Sequence, residues 1–197
     1  MKIAIFVEPN YELNNNILYW KKIINKRIGN QTYLKHPPHM TLFTLNIKKL
    51  TDKNIFNIKQ LVRKQTSFKL AVKKPQIFFN DPLTKGQTLH YSLYNNAKLN
   101  TLQKKLLNLC KDLSLNRLKK NKLKGLMKKN FIKYGYPFYG SNWTPHFTIA
   151  SIKENKYSNT IDNFLKKKIN IKFTVKRISL WKIKGENHKK LRSFNLL

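Results

Sequence analysis

The chain is short of acid. Its 197 residues carry 8 Asp and Glu against 41 Lys and Arg, a formal net charge of +33. That balance points to a polyanionic partner, with nucleic acid first and an anionic membrane second. Cysteine is nearly absent as well. Cys110 stands alone, which excludes an intramolecular disulfide and any multi-cysteine zinc site. Its neighbours Leu106, Leu107 and Leu109 make an apolar helical stretch, so a buried thiol is expected. Long apolar runs are missing too. No window reaches the length of a membrane span, and the run Ile3 to Val7 is too short for a signal peptide. The expectation is a soluble, cytoplasmic, monomeric protein with no membrane partner. A solvated basic surface with no specific partner is the plainer alternative.

What is present is a folded composition, 41% hydrophobic and 12% aromatic, and one short pattern that occurs twice. Pro38-His39-Met40-Thr41-Leu42 and Pro145-His146-Phe147-Thr148-Ile149 both read Pro-His-apolar-Thr-apolar. With 5 His and 7 Pro in the chain, composition alone yields about 0.01 copies of Pro-His-x-Thr. In an extended strand each His shares a face with its Thr, about 6–7 Å along, and the apolar residues face the other way.

The periodicity around the motifs predicts strand, helix, motif strand, helix, strands, helix, motif strand, helix, strands. Ile3 to Val7 reads as a buried strand. Ile17, Trp20, Ile24 and Ile28 recur at helical spacing before Gly29, a C-terminal stop. Helices are expected near 54–64, 98–113 and 159–168. Two strands are expected around Pro75, and alternation changes phase between Val175 and Ile178, the mark of a bulge or a break. Residues 131–143 mix Tyr134, Tyr136, Phe138, Tyr139 and Trp143 with glycine and proline and read as an aromatic loop. The Lys/Leu/Asn stretch at about 114–130 is a candidate basic insertion, helical or not. The class is α+β, and residues 1–197 read as a single bilobed domain with one motif strand in each half.

One His-x-Thr unit is ordinary strand surface. Two facing units would surround a phosphodiester with two imidazoles and two hydroxyls. One imidazole would remove a proton from the attacking oxygen and the other would donate one to the leaving oxygen. Histidine suits both tasks because its ordinary pKa lies near neutrality.

On these two motifs the chain resembles the two-histidine (2H) phosphoesterase superfamily, which includes RNA 2′,3′-cyclic phosphodiesterases, also called 2′-5′ RNA ligases. The resemblance implies two pseudo-symmetric lobes of antiparallel sheet with outer helices and a central cleft. It implies catalytic His39 and His146, with Thr41 and Thr148 binding phosphate. The implied reaction is metal-independent hydrolysis or transesterification of an RNA or oligonucleotide phosphodiester, with no cofactor. Which histidine is acid and which is base stays open. Tyr136, Tyr139 and Trp143 are candidate base-stacking residues, and Lys35, Lys133 and Arg177 are candidates for further phosphate contacts. His36 is expected at the surface, and His90 and His188 in structural positions. Two other readings remain: a non-catalytic basic RNA-binding protein, and a small cyclic-nucleotide phosphodiesterase.

Overall fold

A computed structural model of the chain describes residues 1–115, 123–156 and 158–197. The apolar run at the start forms strand β1 (Lys2–Val7). Helix α1 (Tyr11–Ile28) follows. Asn10 caps it by accepting from Leu13 N, and Gly29 ends it with a left-handed φ of 72° while its N–H returns to Asn25 O. Strand β2 (Met40–Asn46) carries the first motif's threonine, and helix α2 (Asp52–Arg63) begins in a Thr51–Asn54 capping box.

The two strands expected around Pro75 are one, β3 (Phe68–Phe78). β3 pairs with β6 (Lys172–Val175) only over residues 68–71, so at Pro75 one edge of the strand is unpaired, where a missing N–H is tolerated. β4 (Gln87–Leu93) is buried along its whole length. Helix α3 (Ala97–Cys110) ends in a 3₁₀ turn, Lys111–Leu113. Cys110 is buried, as expected, and burial pushes its thiol up to about 12. Of the candidate insertion, residues 116–122 lie outside the described residues, and from Gly125 the chain is helix α4 (Gly125–Tyr134). The aromatic segment therefore starts as helix and turns at Gly135, whose φ is 71° and where a Cβ would collide with Ser114 Oγ. β5 (His146–Ile152) and α5 (Asn159–Leu165) follow. The phase change after Val175 is a break between strands: β6 belongs to one sheet, β7 (Arg177–Lys184) to the other, and β8 (Asn187–Asn195) returns beside β7.

The sheets are ordered β2-β1-β7-β8 and β5-β4-β3-β6, antiparallel throughout. Each motif strand is the edge of its own sheet, and these two edges adjoin. The helices cross over. α1 follows β1 yet packs against β5, and α3 follows β4 yet packs against β2. One apolar cluster runs through both halves, with Ile3, Ile5 and Phe43 from the first sheet and Leu89, Tyr91 and Phe147 from the second. A separate small cluster of Ala4, Phe6 and Trp181 lies on the other face of the first sheet. No helix among the described residues is long and apolar enough to cross a membrane.

Candidate active site

The motifs are built alike. On β2, Phe6 of β1 pairs with Thr41 and Ile5 pairs with Phe43, so Leu42 is left over. On β5, His90 of β4 pairs with Thr148 and Leu89 pairs with Ala150, so Ile149 is left over. Each motif strand thus carries its extra residue directly after the threonine. A bulge bends the strand and re-aims the side chains beside it. It lets both residues after the threonine turn inward: Leu42 and Phe43 are buried together, as are Ile149 and Ala150, while Thr41 and Thr148 stay half-buried on the opposite face.

The imidazoles are fixed in the same way. His39 lies just before β2, and its Nδ1 is 2.6 Å from Pro37 O. His146 opens β5, and its Nδ1 is 2.7 Å from Thr144 O. A carbonyl only accepts, so in both rings Nδ1 carries the hydrogen and Nε2 is left for chemistry. Each ring also meets an aromatic from its own sheet, Phe6 from the strand next to β2 and Phe78 from β3, one strand beyond β4. His39 stacks on Phe6 with centroids 3.8 Å apart, and His146 meets Phe78 edge-on at 5.0 Å.

The five histidines fall into two groups, one at each motif. His36 and His188 lie 6.5 and 5.6 Å from the His39 ring, and His90 lies 5.0 Å from His146. His90 is buried, stacked on Phe78 at 3.9 Å, in the structural position expected of it. His36 and His188 are half-buried and 4.2 Å from each other, which brings two side chains read as surface and structural into the first motif's surroundings. No group of three His, Cys, Asp or Glu side chains among the described residues is placed to hold a metal ion.

The electrostatic settings differ. Burial pushes His39 down to about 3. The Pro37 carbonyl opposes that shift, and the charges of His188, His36 and Lys21 add to it. Lys21 is a buried ammonium whose three protons go to three carbonyls, Tyr33 O at 2.5 Å, His36 O at 2.9 Å and Leu34 O at 3.2 Å. It clamps the turn that delivers the first motif, including Tyr33 at φ 73°. Burial lowers Lys21 itself to about 8. His146 is also lowered by burial, but there the Thr144 carbonyl and the Asp81 carboxylate both oppose the shift. Asp81 is buried and oriented by Thr88 Oγ, 2.6 Å from its Oδ2.

The aromatic segment plays a different part from the one expected. Tyr136 and Trp143 are only 9% and 8% exposed and belong to the core, so neither has an open face for a base. Tyr139 is half-buried and stacked on Tyr134 at 4.1 Å. The segment instead secures the bulge on β2. Trp143 Nε1 donates to Thr41 O at 3.3 Å. The fully buried Gln103 of α3 donates to Leu42 O at 3.4 Å and to Phe138 O at 2.9 Å. Lys35 is exposed and ion-paired with Glu186 at 3.6 Å, and Lys133 lies over the Tyr134 ring. Phe6, Phe78, Lys21 and Asp81 were not singled out by sequence. The readable signal for Phe6 and Phe78 is an aromatic near the end of a strand that belongs to the same sheet as β2 or β5. For Lys21, a lysine on the apolar side of α1 is the signal.

Comparison with known proteins agrees with this fold. TT0787 of Thermus thermophilus superposes with a TM-score of 0.65 at 14% identity, over 99% of this chain and 97% of that one. E. coli LigT in its apo form gives 0.59 at 11%, over 99% and 96%. A crystal structure described as a phosphoesterase gives 0.56 at 12%, over 99% and 97%. At such identities the likeness is one of fold. No curated protein matches the chain by sequence. The family profile of the 2′-5′ RNA ligase superfamily does match, over residues 14–187, and by that match across most of its length the chain belongs to this superfamily of two-histidine phosphoesterases.

Proposed function

We propose that the protein is an RNA-directed phosphodiesterase that opens a 2′,3′-cyclic phosphate end or cuts a 2′-5′ linkage. The observation that carries the reading is the matched pair: two imidazoles with Nδ1 pinned and Nε2 free, each beside a threonine, on adjoining edge strands. Membership of the superfamily supports phosphodiester chemistry, and the basic surface suits a polyanionic substrate. E. coli LigT has been crystallised with 3′-AMP, with ATP, with NADP⁺ and with phosphate, which fits a nucleotide ligand.

The electrostatic difference favours one division of the two roles. His39, set among Lys21, His36 and His188, stays neutral and is the base. His146, where the Asp81 carboxylate opposes the effect of burial, is then the acid. In hydrolysis His39 Nε2 takes a proton from water as its oxygen bonds to phosphorus. The bond from phosphorus to the ribose oxygen breaks, and His146 Nε2 gives that oxygen its proton. The hydroxyls of Thr41 and Thr148 donate to the two non-bridging oxygens, where charge develops. The two imidazoles then exchange protons with solvent to restore the starting state. The scheme uses no cofactor and no metal. Ligation would be the same steps in reverse.

The test is turnover of 2′,3′-cyclic-phosphate-ended and 2′-5′-linked oligoribonucleotides, with EDTA present. Activity is expected from the wild type and its loss from His39→Ala and His146→Ala. A requirement for a divalent ion would overturn the acid–base scheme. Tight RNA binding with no turnover of any substrate would favour a non-catalytic RNA-binding protein.

A further inference from the structure

A path leads away from the paired motifs along β7. Phe6, on which His39 stacks, pairs with Ser179, and Arg177 lies two residues further along the same face. Two strand residues span about 7 Å. At that point Glu8, Thr174, Lys176, Arg177 and Asn195 line a cavity of about 520 Å³. The volume falls in the range of small-molecule sites, about 300–1,000 Å³. The cavity opens where the chain crosses from β6 in one sheet to β7 in the other, at the junction of the two halves. The proposed chemistry makes no use of it.

Its charged groups are of two kinds. Glu8 lies 2.8 Å from Lys190 Nζ, so its negative charge is balanced. Lys176 and Arg177 are exposed and remain as surplus cations. A guanidinium beside an ammonium suits a phosphate, which the guanidinium binds with a fork of N–H donors. A paired carboxylate keeps spare lone pairs for a donor such as a ribose hydroxyl.

We infer that this cavity holds the ribonucleotide next to the one whose phosphate is attacked, with that neighbour's phosphate on Arg177 and Lys176 and its 2′-hydroxyl donating to Glu8. The inference rests on the phosphodiesterase reading and deepens it: the substrate is an oligoribonucleotide and not a free cyclic mononucleotide. The 2′-hydroxyl contact also separates RNA from DNA at that position.

The experiment compares kcat/KM for a 2′,3′-cyclic mononucleotide with that for the same nucleotide ending a tetraribonucleotide. The wild type is expected to favour the tetramer at least ten-fold. Arg177→Gln is expected to remove most of that preference by lowering kcat/KM for the tetramer far more than for the mononucleotide. Lys176→Gln, at an exposed position, is the second variant should the first fail to fold, and the same loss of preference is expected. Equal rates on both substrates, or an equal fall on both in the variants, would overturn the subsite. If no substrate turns over, the phosphodiesterase reading fails alone, because fluorescence anisotropy with a labelled tetraribonucleotide still tests the cavity. There Arg177→Gln is expected to weaken binding about ten-fold and to reduce the salt slope by about one. Unchanged affinity in that titration would overturn the subsite too.

Discussion

The two halves of the site share a backbone and differ in their charges. Each has a proline, a pinned imidazole, a threonine, an unpaired residue after the threonine, and an aromatic ring against the histidine. Around His39 stand Lys21, His36 and His188, while near His146 stand His90 and Asp81. The shared parts are those that set geometry. The unlike parts are charges that bear on where a proton resides. In the proposed reaction two like groups stand on opposite sides of one phosphorus, and unlike surroundings favour one as proton acceptor and the other as donor. In this chain they differ in neighbouring charge, while the covalent pattern is kept.

The largest expected effect treats the halves as equals. His39→Ala and His146→Ala should each lower kcat by about 10²–10⁴, the usual worth of a positioned acid or base. Thermal unfolding should stay cooperative in both, since each ring is half-buried. Full activity in either variant would end the pairing of the two halves.

The next two tests probe the asymmetry. Lys21→Met removes a cation that disfavours protonated His39. Burial still holds the His39 pKa down, but it should rise slightly, so the acidic limb of kcat/KM should move a little to higher pH, with kcat about ten-fold lower because the turn at residues 33–36 loses its clamp. Lys21→Arg should restore part of both. An unmoved acidic limb would leave Lys21 as scaffold only. Asp81→Asn should act on the other limb. Without that carboxylate the His146 pKa falls further, the acid form is lost at lower pH, and the alkaline limb should shift down with a few-fold loss at neutrality.

The smallest effect is on stability. Burial holds His90 at about 3, against about 6.5 for a histidine in the unfolded chain. The unfolded state therefore binds the extra proton first as pH falls. Stability is fully present above pH 6.5 and is lost progressively between pH 6.5 and 3, by about 1–2 kcal/mol at pH 5 for this one group. In scans of Tm against pH, His90→Phe should show a shallower acid decline than the wild type. A parallel decline would assign the acid sensitivity to the other histidines.

Much of this was legible in the sequence because it is local. The repeated Pro-His-x-Thr placed the four motif residues, alternation placed their strands, and the phase change after Val175 marked the crossing between sheets. The bulges were not legible, since a bulge is defined by the partner strand and neither Leu42 nor Ile149 differs from an ordinary strand residue. The supporting rings were hidden by distance: Phe6 reaches His39 from the strand paired with β2, and Phe78 reaches His146 across β4. Lys21 was one of 41 basic residues, and three carbonyls from a later turn set it apart. The aromatic segment misled because rings among glycines and prolines read the same whether they face solvent or the core. Gln103, among Leu99, Leu102 and Leu106 on the apolar side of α3, was the available hint that this segment is packed.

The order of strands in the first sheet also bears on how the protein is made. β1 pairs on one side with β2, soon after it in the chain, and on the other with residues 179–183 of β7. A growing polypeptide can close the β1–β2 ladder early, but β1 keeps an open edge until β7 and β8 have left the ribosome. Long-range pairing of this kind slows folding and leaves strand edges open to the wrong partners meanwhile. Like charge on the incomplete chain, most of it positive, opposes the pairing of one nascent copy with another. The acid depletion noted at the start would then serve assembly as well as substrate.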